Sequence, residues 1–267
     1  MPIYQAIILG IVQGLTEFLP ISSSAHLNLF PWVLNWGQLP PSFDLALHIG
    51  TLLAIVIFFF KDWLKLFVGG CKQIVKKEKT TEGKMFWYLV IATIPAGILS
   101  LVLDKLSSKL LGDNLILEMI VIAITLIVMG IILYFVDKKA KSKTKYEDIT
   151  LKQSLAIGIS QSLAAAFPGV SRSGITMTIA RSLGVDRESA ARYSFLLATP
   201  ITAAAVIFDL KNMILTDISM WLGILASFLV GIIIIKFLLD YLKKGSFKGF
   251  AIYRVLVGIA VILITIF

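Results

Sequence analysis

One cysteine, Cys71, stands among 267 residues, so no disulfide can form within the chain, and a single thiol by itself says little about compartment. Charge is scarce as well: 15% of residues are Asp, Glu, Lys or Arg, against 58% hydrophobic. The start, Met1-Pro2-Ile3-Tyr4, lacks the positive charge of a cleaved secretory signal, and the apolar stretch behind it carries Glu17, so this segment is expected to be retained. Also missing are a nucleic-acid-binding motif and any interleaving of aromatic with basic residues. The net charge of +9 is therefore not read as a nucleic-acid signal.

What the chain does have is apolar runs of about 20 residues, the length that crosses a bilayer. They fall near 45–60, 85–103, 115–136, 192–210, 218–239 and 250–266. A soluble chain of this size can build a large core, but it does not normally string such runs together. The expected fold is an all-α integral membrane protein with six transmembrane helices, a single membrane domain over 1–267 in contact with the bilayer.

Lysines orient those crossings. The loop 61–84 carries Lys61, Lys65, Lys72, Lys76, Lys77, Lys79 and Lys84; the loop 137–152 carries Lys138, Lys139, Lys141, Lys143, Lys145 and Lys152. Both are expected on the cytoplasmic side, together with Lys243, Lys244 and Lys248. The opposite loops, 104–114 and 211–217, hold Lys105, Lys109 and Lys211. Trp32, Trp36, Trp63, Trp87 and Trp221 lie near span ends and read as interfacial anchors.

Two more apolar segments, 3–26 and 153–176, are interrupted by proline and hydroxyl residues where a crossing would be at mid-membrane. They superimpose without a gap at an offset of 148, Gly10-Ile11-Val12-Gln13-Gly14-Leu15 on Gly158-Ile159-Ser160-Gln161-Ser162-Leu163, with Pro20 on Pro168 and Ser23 on Ser171. Irregular backbone cannot face lipid, so both are expected as re-entrant helical hairpins buried by the six spans. One hairpin and three crossings per copy make the halves, 1–140 and 150–267, an inverted-topology repeat, an arrangement that brings two broken segments together near the midplane.

The polar residues concentrate in those hairpins. Gln13 and Glu17, four apart on a helix, share a face and can offer two oxygens to one ion. An acid at membrane depth is costly, which makes Glu17 a candidate functional group with a metal, a proton or an arginine as counter-charge; the plainer alternative is a neutral structural acid. His26, beside Ser22, Ser23 and Ser24, suggests a base and nucleophile pair, or a histidine that itself accepts a phosphoryl group, against the commoner packed histidine. Arg172, between Ser171 and Ser173 and followed by Thr176 after the Pro168-Gly169 turn, makes a phosphate-binding set. A helix over 174–184 would add its N-terminal dipole. The alternative is that Arg172 only pairs with Glu17 to stabilise the fold. Gln161 reads as structural, bonding freed backbone near the second hairpin tip. Asp44 and His48 read as structural or rim-lining, Arg254 as the partner of a buried group, and Lys236 as a snorkelling side chain.

The stretch Gln13-Gly14-Leu15-Thr16-Glu17-Phe18-Leu19-Pro20-Ile21-Ser22-Ser23-Ser24-Ala25-His26 resembles the first signature of the bacterial undecaprenyl-diphosphate phosphatases, also called bacitracin-resistance proteins. Pro168-Gly169-Val170-Ser171-Arg172-Ser173-Gly174-Ile175-Thr176 resembles the second, and Phe195-Leu196-Leu197-Ala198-Thr199-Pro200 fits a later one. The resemblance implies a hydrolase that removes the terminal phosphate of a C55 polyprenyl diphosphate, recycling the lipid carrier of peptidoglycan synthesis and conferring bacitracin resistance. It implies a site in the bacterial cell membrane that opens outward, with Glu17, Ser23, His26 and Arg172 catalytic and Gln13, Ser22, Ser24, Ser171, Ser173 and Thr176 binding substrate. The family's acidic pair is carried by Gln13 and Glu17, so the implied divalent cation, Mg²⁺ or Ca²⁺, would meet one negative charge fewer than where the first position is Glu. A homodimer is also expected. The rival is a secondary transporter, in its sharpest form a lipid-phosphate flippase, since inverted repeats with broken helices also build transporters; it leaves Ser23 and His26 without a task.

Overall fold

The computed structural model describes residues 1–112, 114–209 and 217–266; Lys211, assigned above to a lysine-poor loop, lies outside them. Among the described residues the regular structure is helical, apart from one bridge between Thr144 and Val185. In chain order the α-helices are α1 (Ile3–Thr16), α2 (Ser23–Val33), α3 (Pro41–Phe58), α4 (Phe60–Val75), α5 (Thr81–Leu111), α6 (Leu115–Lys139), α7 (Leu151–Ser160), α8 (Leu163–Ala166), α9 (Arg172–Ser182), α10 (Arg187–Asp209), α11 (Ile218–Leu242) and α12 (Lys248–Ile266).

Six of these, α3, α5, α6, α10, α11 and α12, are long and apolar enough to cross a membrane, and they coincide with the six apolar runs. Their outer faces carry exposed Ile94, Ile98, Ile124, Phe135, Leu229, Ile233 and Leu263. No soluble protein presents so continuous an apolar surface to water, and this chain is a membrane protein.

Two expected loops are helix instead. The stretch 61–84 contains α4 and the start of α5. Exposed Leu64, Phe67, Val68 and Ile74 recur on α4 at helical spacing, while Lys61, Lys65 and Lys72 take other faces, so the lysine-rich stretch folds as an amphipathic surface helix. The stretch 104–114 is mostly the last turns of α5, which runs past Lys105 and Lys109 and ends at Gly112 with φ +55°.

The packing depends on close backbone approach. A Cβ on Gly10 would lie 2.4 Å from the Gly223 carbonyl oxygen, and one on Gly14 would lie 2.8 Å from that of Ser227. Gly10 and Gly14 of α1 thus seat on the Gly223, Ser227 and Gly231 stripe of α11, a small-residue seam of the kind that joins helices in lipid. In the second copy Gly158 of α7 meets Ala92 of α5 just as tightly. At the lysine-rich end the buried Asp137 carboxylate accepts from Arg181 and Arg187, each at 2.8 Å, and from the Phe247 amide at 3.1 Å, tying α6, α9, α10 and α12 together.

Both interrupted segments break where the prolines stand. Serine 22 and Ser171 take the left-handed backbone region, φ 77° and 69°, which is rare outside glycine, and each then caps a helix by accepting an amide: Ala25 N–H to Ser22 at 3.4 Å, Gly174 N–H to Ser171 at 3.1 Å. Each capping oxygen also lies 3.2 Å from a second hydroxyl, Ser24 or Ser173. This geometry corrects the gapless superposition. Upstream of the turn the offset is 148, but past it Ser22 matches Ser171, one residue further on. The second turn contains an extra residue, accommodated at Gly169, where φ is +91° and a Cβ would fall 2.2 Å from the Thr125 hydroxyl. In consequence Ser23 corresponds to Arg172, each the first residue of its helix.

Candidate functional site

Glu17 caps the C-terminal end of α1 and is 6% exposed. A buried carboxylate needs its oxygens satisfied, and here all the partners come from the polar set of the sequence or face it. Oε1 is ion-paired with the Arg172 guanidinium at the start of α9. Oε2 accepts the Ser23 hydroxyl at 2.6 Å and the Gln13 amide at 3.3 Å. The expected pairing of Glu17 with Arg172 is thus formed, and breaking such a buried pair costs about 3–5 kcal/mol because the remaining charge is left without its partner.

Around this pair lies a cavity of about 280 Å³, lined by Glu17, Ser23, Ser24, His48, Ser100, Gln161, Ser171, Arg172 and Thr202 together with alanines and aliphatic side chains. Ser23 and Ser24 belong to the first turn of α2, and Ser171 and Arg172 to the cap and first turn of α9. Two helix N-termini therefore converge on one cavity, each bringing the partial positive charge that favours an anion. Arg172 is held in place by donation to the Thr202 hydroxyl at 2.8 Å and the Ala198 carbonyl at 3.2 Å.

The remaining sequence candidates separate into two groups. Ser24 and Ser171 line the cavity, whereas the hydroxyls of Ser22, Ser173 and Thr176 are spent on the fold. Ser22 caps α2, Ser173 donates to the Leu19 carbonyl at 3.1 Å, and Thr176 lies 2.6 Å from the Ser194 hydroxyl. His26 points elsewhere than the serine and histidine pairing assumed. Its Nδ1 lies 2.7 Å from the Ser22 carbonyl, which can only accept, so Nδ1 carries the proton; Nε2 lies 2.7 Å from the Tyr253 hydroxyl of α12. Both ring nitrogens are thereby occupied, and the imidazole braces the turn against α12.

Sequence reasoning placed His48 at the rim at most. The structure puts its Nδ1 3.0 Å from the Gln13 amide nitrogen and 3.8 Å from Glu17 Oε1. Thr202 was not singled out at all. Gln161 was expected to bond freed backbone, but among the described residues neither its amide nitrogen nor its oxygen has a hydrogen-bond partner. Arg254, expected to meet a buried partner, meets four carbonyls: Pro20 at 3.1 Å, Gly169 at 2.9 Å, Val170 at 3.0 Å and Leu126 at 3.4 Å. It fastens the turn at Pro20 to the turn at Gly169 and Val170.

The donor set is compatible with a hard divalent cation shared with a ligand. Gln13 Oε1 is buried with no partner among the described residues, and its amide nitrogen faces Glu17; with the amide turned over, this oxygen and the Glu17 carboxylate are donors of the type such ions take. Among the described residues no three His, Cys, Asp or Glu side chains converge, so the protein by itself offers no closed cage.

A carboxylate, a hydroxyl bonded to it, a guanidinium and two helix N-termini thus meet inside a bundle of helices long and apolar enough to cross a membrane, and the chain is a membrane protein. The family follows from comparison with known proteins. The family model described as bacitracin resistance protein BacA matches residues 6–260, and the chain belongs to that family. It is similar to the undecaprenyl-diphosphatase of Pelotomaculum thermopropionicum, 46% identical over 266 residues, 99% of this chain and 97% of the relative. The undecaprenyl-diphosphatases of Moorella thermoacetica and Desulforudis audaxviator are 42% and 43% identical, each covering 98% of this chain and 97% or 98% of their own length.

Proposed function

We propose that this chain is a membrane undecaprenyl-diphosphatase that releases the terminal phosphate of the lipid diphosphate and returns the monophosphate carrier to cell-wall synthesis. The observation that carries this reading is the 2.6 Å hydrogen bond from Ser23 to a Glu17 carboxylate already paired with Arg172. A transporter would need the guanidinium and the helix ends to hold a headgroup, but not a hydroxyl poised on a base.

In the chemistry proposed, Ser23 Oγ attacks the terminal phosphorus in line while its proton passes to Glu17 Oε2. The bond to the bridging oxygen breaks and the prenyl monophosphate leaves. Water then attacks the phosphorus of the phosphoserine and passes a proton to a phosphate oxygen, while the P–O bond to Ser23 breaks, Ser23 Oγ regains its proton from Glu17, and inorganic phosphate leaves. Arg172 donates to phosphate oxygens as negative charge redistributes, and the first-turn amides of α2 and α9 supply fixed dipoles that need no reorganisation. His26 keeps the Ser22 turn, and so Ser23, in position. A divalent cation, Mg²⁺ or Ca²⁺, would be held by Gln13 and Glu17 with phosphate oxygens, and when bound would neutralise phosphate charge.

The two broken segments are proposed as re-entrant hairpins of an inverted repeat. Supporting this, Arg254 lies six residues into α12, roughly 9 Å along it, and bonds both turns, while Thr125 in the middle of α6 donates to the Pro168 carbonyl at 2.6 Å. Contacts of both turns with inner residues of α6 and α12 support their lying at depth within the bundle. The lysine-rich segment 137–152 leads into α7 and pairs at Thr144 with Val185 just after α9, whereas α2 leads into the opposite end of α3, which supports a cell-membrane protein with its site open to the outer face. Phosphate release from undecaprenyl diphosphate by detergent-solubilised protein tests the activity. Transfer of lipid monophosphate across liposomes with no phosphate release would favour the transporter instead.

A further inference from the structure

The second hairpin contains a buried polar group that the chemistry above does not use. Gln161 ends α7, is 3% exposed and lines the cavity shared by Glu17, Ser23 and Arg172, yet both ends of its amide lack a protein partner. A buried amide without partners is unfavourable, and protein interiors rarely retain one unless something else completes its hydrogen bonds.

The repeat explains how the amide came to be bare. Gln161 lies 148 residues after Gln13, at the aligned position of the second segment, where α7 has just ended, whereas Gln13 is still within α1. In the first copy the Gln13 amide nitrogen is taken by Glu17 and His48. The residue 148 after Glu17 is Ala165, which also lines the cavity. With a methyl group in place of the carboxylate, Gln161 has no intramolecular acceptor, and the space the carboxylate would fill belongs to the cavity. The copies have diverged in complementary directions: the first holds the acid and the hydroxyl, the second the guanidinium and an unpaired neutral amide.

We propose that Gln161 is a headgroup ligand: its amide N–H donates to an oxygen of the diphosphate held by Arg172, and its carbonyl oxygen accepts from a water in the same cavity. A phosphate oxygen is an ionised acceptor, and it satisfies an amide donor better than a neutral acceptor does. An uncharged ligand also suits a place where a second carboxylate would repel the phosphate. The assignment rests on the reading of this cavity as the diphosphate site.

The test compares wild type with Gln161→Met and Gln161→Glu in purified protein. Three quantities are measured: phosphate release from farnesyl diphosphate, binding of a methylene-bridged prenyl diphosphonate that cannot be hydrolysed, and the thermal midpoint without ligand. Gln161→Met keeps the length of the side chain and removes both hydrogen-bonding ends. It is expected to keep or raise the ligand-free midpoint while weakening diphosphonate binding and raising KM by about tenfold. Gln161→Glu is expected to weaken binding further. Unchanged affinity and KM in Gln161→Met overturn the proposal, and so does a lowered midpoint with affinity intact, which would make the amide structural. If wild type itself neither binds the diphosphonate nor releases phosphate, the reading of the cavity fails, a result distinct from failure of Gln161 alone.

Discussion

The Ser23 hydroxyl donates to Glu17 Oε2 across 2.6 Å, and the other oxygen of that carboxylate is ion-paired with Arg172, a residue from the opposite half of the chain. Neither half is complete alone. The first supplies the carboxylate and the hydroxyl, the second the guanidinium that pairs with that carboxylate.

Replacing Glu17 by Gln removes the charge while keeping the shape. The amide has one oxygen left to accept from Arg172 or Ser23 but not a second, and it cannot take the serine proton. Initial rates of phosphate release are expected to fall by about 10²–10⁴-fold, the range for loss of a general base.

Arg172→Lys conserves charge but not the fork of donors. A single ammonium cannot at once pair with Glu17 and bond Thr202 and the Ala198 carbonyl as the guanidinium does. The expected loss in kcat/KM is about 100-fold, comparable with removal of one preorganised donor to a developing anion. Wild-type kcat/KM in this variant would separate Arg172 from the phosphate.

Arg254→Met leaves the carbonyls of Pro20, Gly169 and Val170 without their common donor. Hydrogen bonds to a charged donor contribute about 1.5–3 kcal/mol each, so the variant is expected to melt well below wild type and to lose activity as the two turns come apart. A melting scan in detergent beside the activity assay checks both.

Gly14→Val tests the seam between α1 and α11. The added Cβ would meet the Ser227 carbonyl and the Val230 side chain, each at 2.8 Å, and relief requires the helices to separate. Overpacking of this kind costs about 1–3 kcal/mol. Because Glu17 is carried one turn beyond Gly14, KM and kcat should change together with the thermal midpoint.

The proposed cation at Gln13 and Glu17 predicts that a chelator suppresses turnover and that added Mg²⁺ or Ca²⁺ restores it. Gln13→Glu, which adds a second negative oxygen donor, is expected to lower the cation concentration giving half-maximal rate. Titrations of rate against free cation in both proteins measure this, and identical curves would remove Gln13 from the cation site.

Much of the fold could be read from hydropathy, because a run of about 20 apolar residues in lipid has few options besides a helix. Pro20 and Pro168 likewise announced the breaks. Helix α4 was hidden because Lys61, Lys65, Lys72 and the Gly69-Gly70 pair resemble a loop in composition, and only the spacing of Leu64, Phe67, Val68 and Ile74 betrays it. Asp137 lay inside the stretch taken for a connecting loop, yet it is the buried centre to which Arg181 and Arg187 converge. In the site, Gln13, Glu17, Ser23 and Arg172 stood out as polar residues in apolar surroundings. His48 did not, since its partner Gln13 is 35 residues away and their approach depends on how α1 packs on α3. His26 misled for the opposite reason: closeness in sequence to Ser23 says nothing about which way a ring turns, and here it turns to Tyr253, 227 residues distant.

The most direct measurement is phosphate release from undecaprenyl diphosphate by wild type, Ser23→Ala and His26→Ala, with acid-quenched samples from terminally labelled substrate analysed for phosphoserine. The account predicts release and label on Ser23 in wild type, slower release with label still on Ser23 in His26→Ala, and neither in Ser23→Ala. Sustained release by Ser23→Ala, or label on His26, would contradict it.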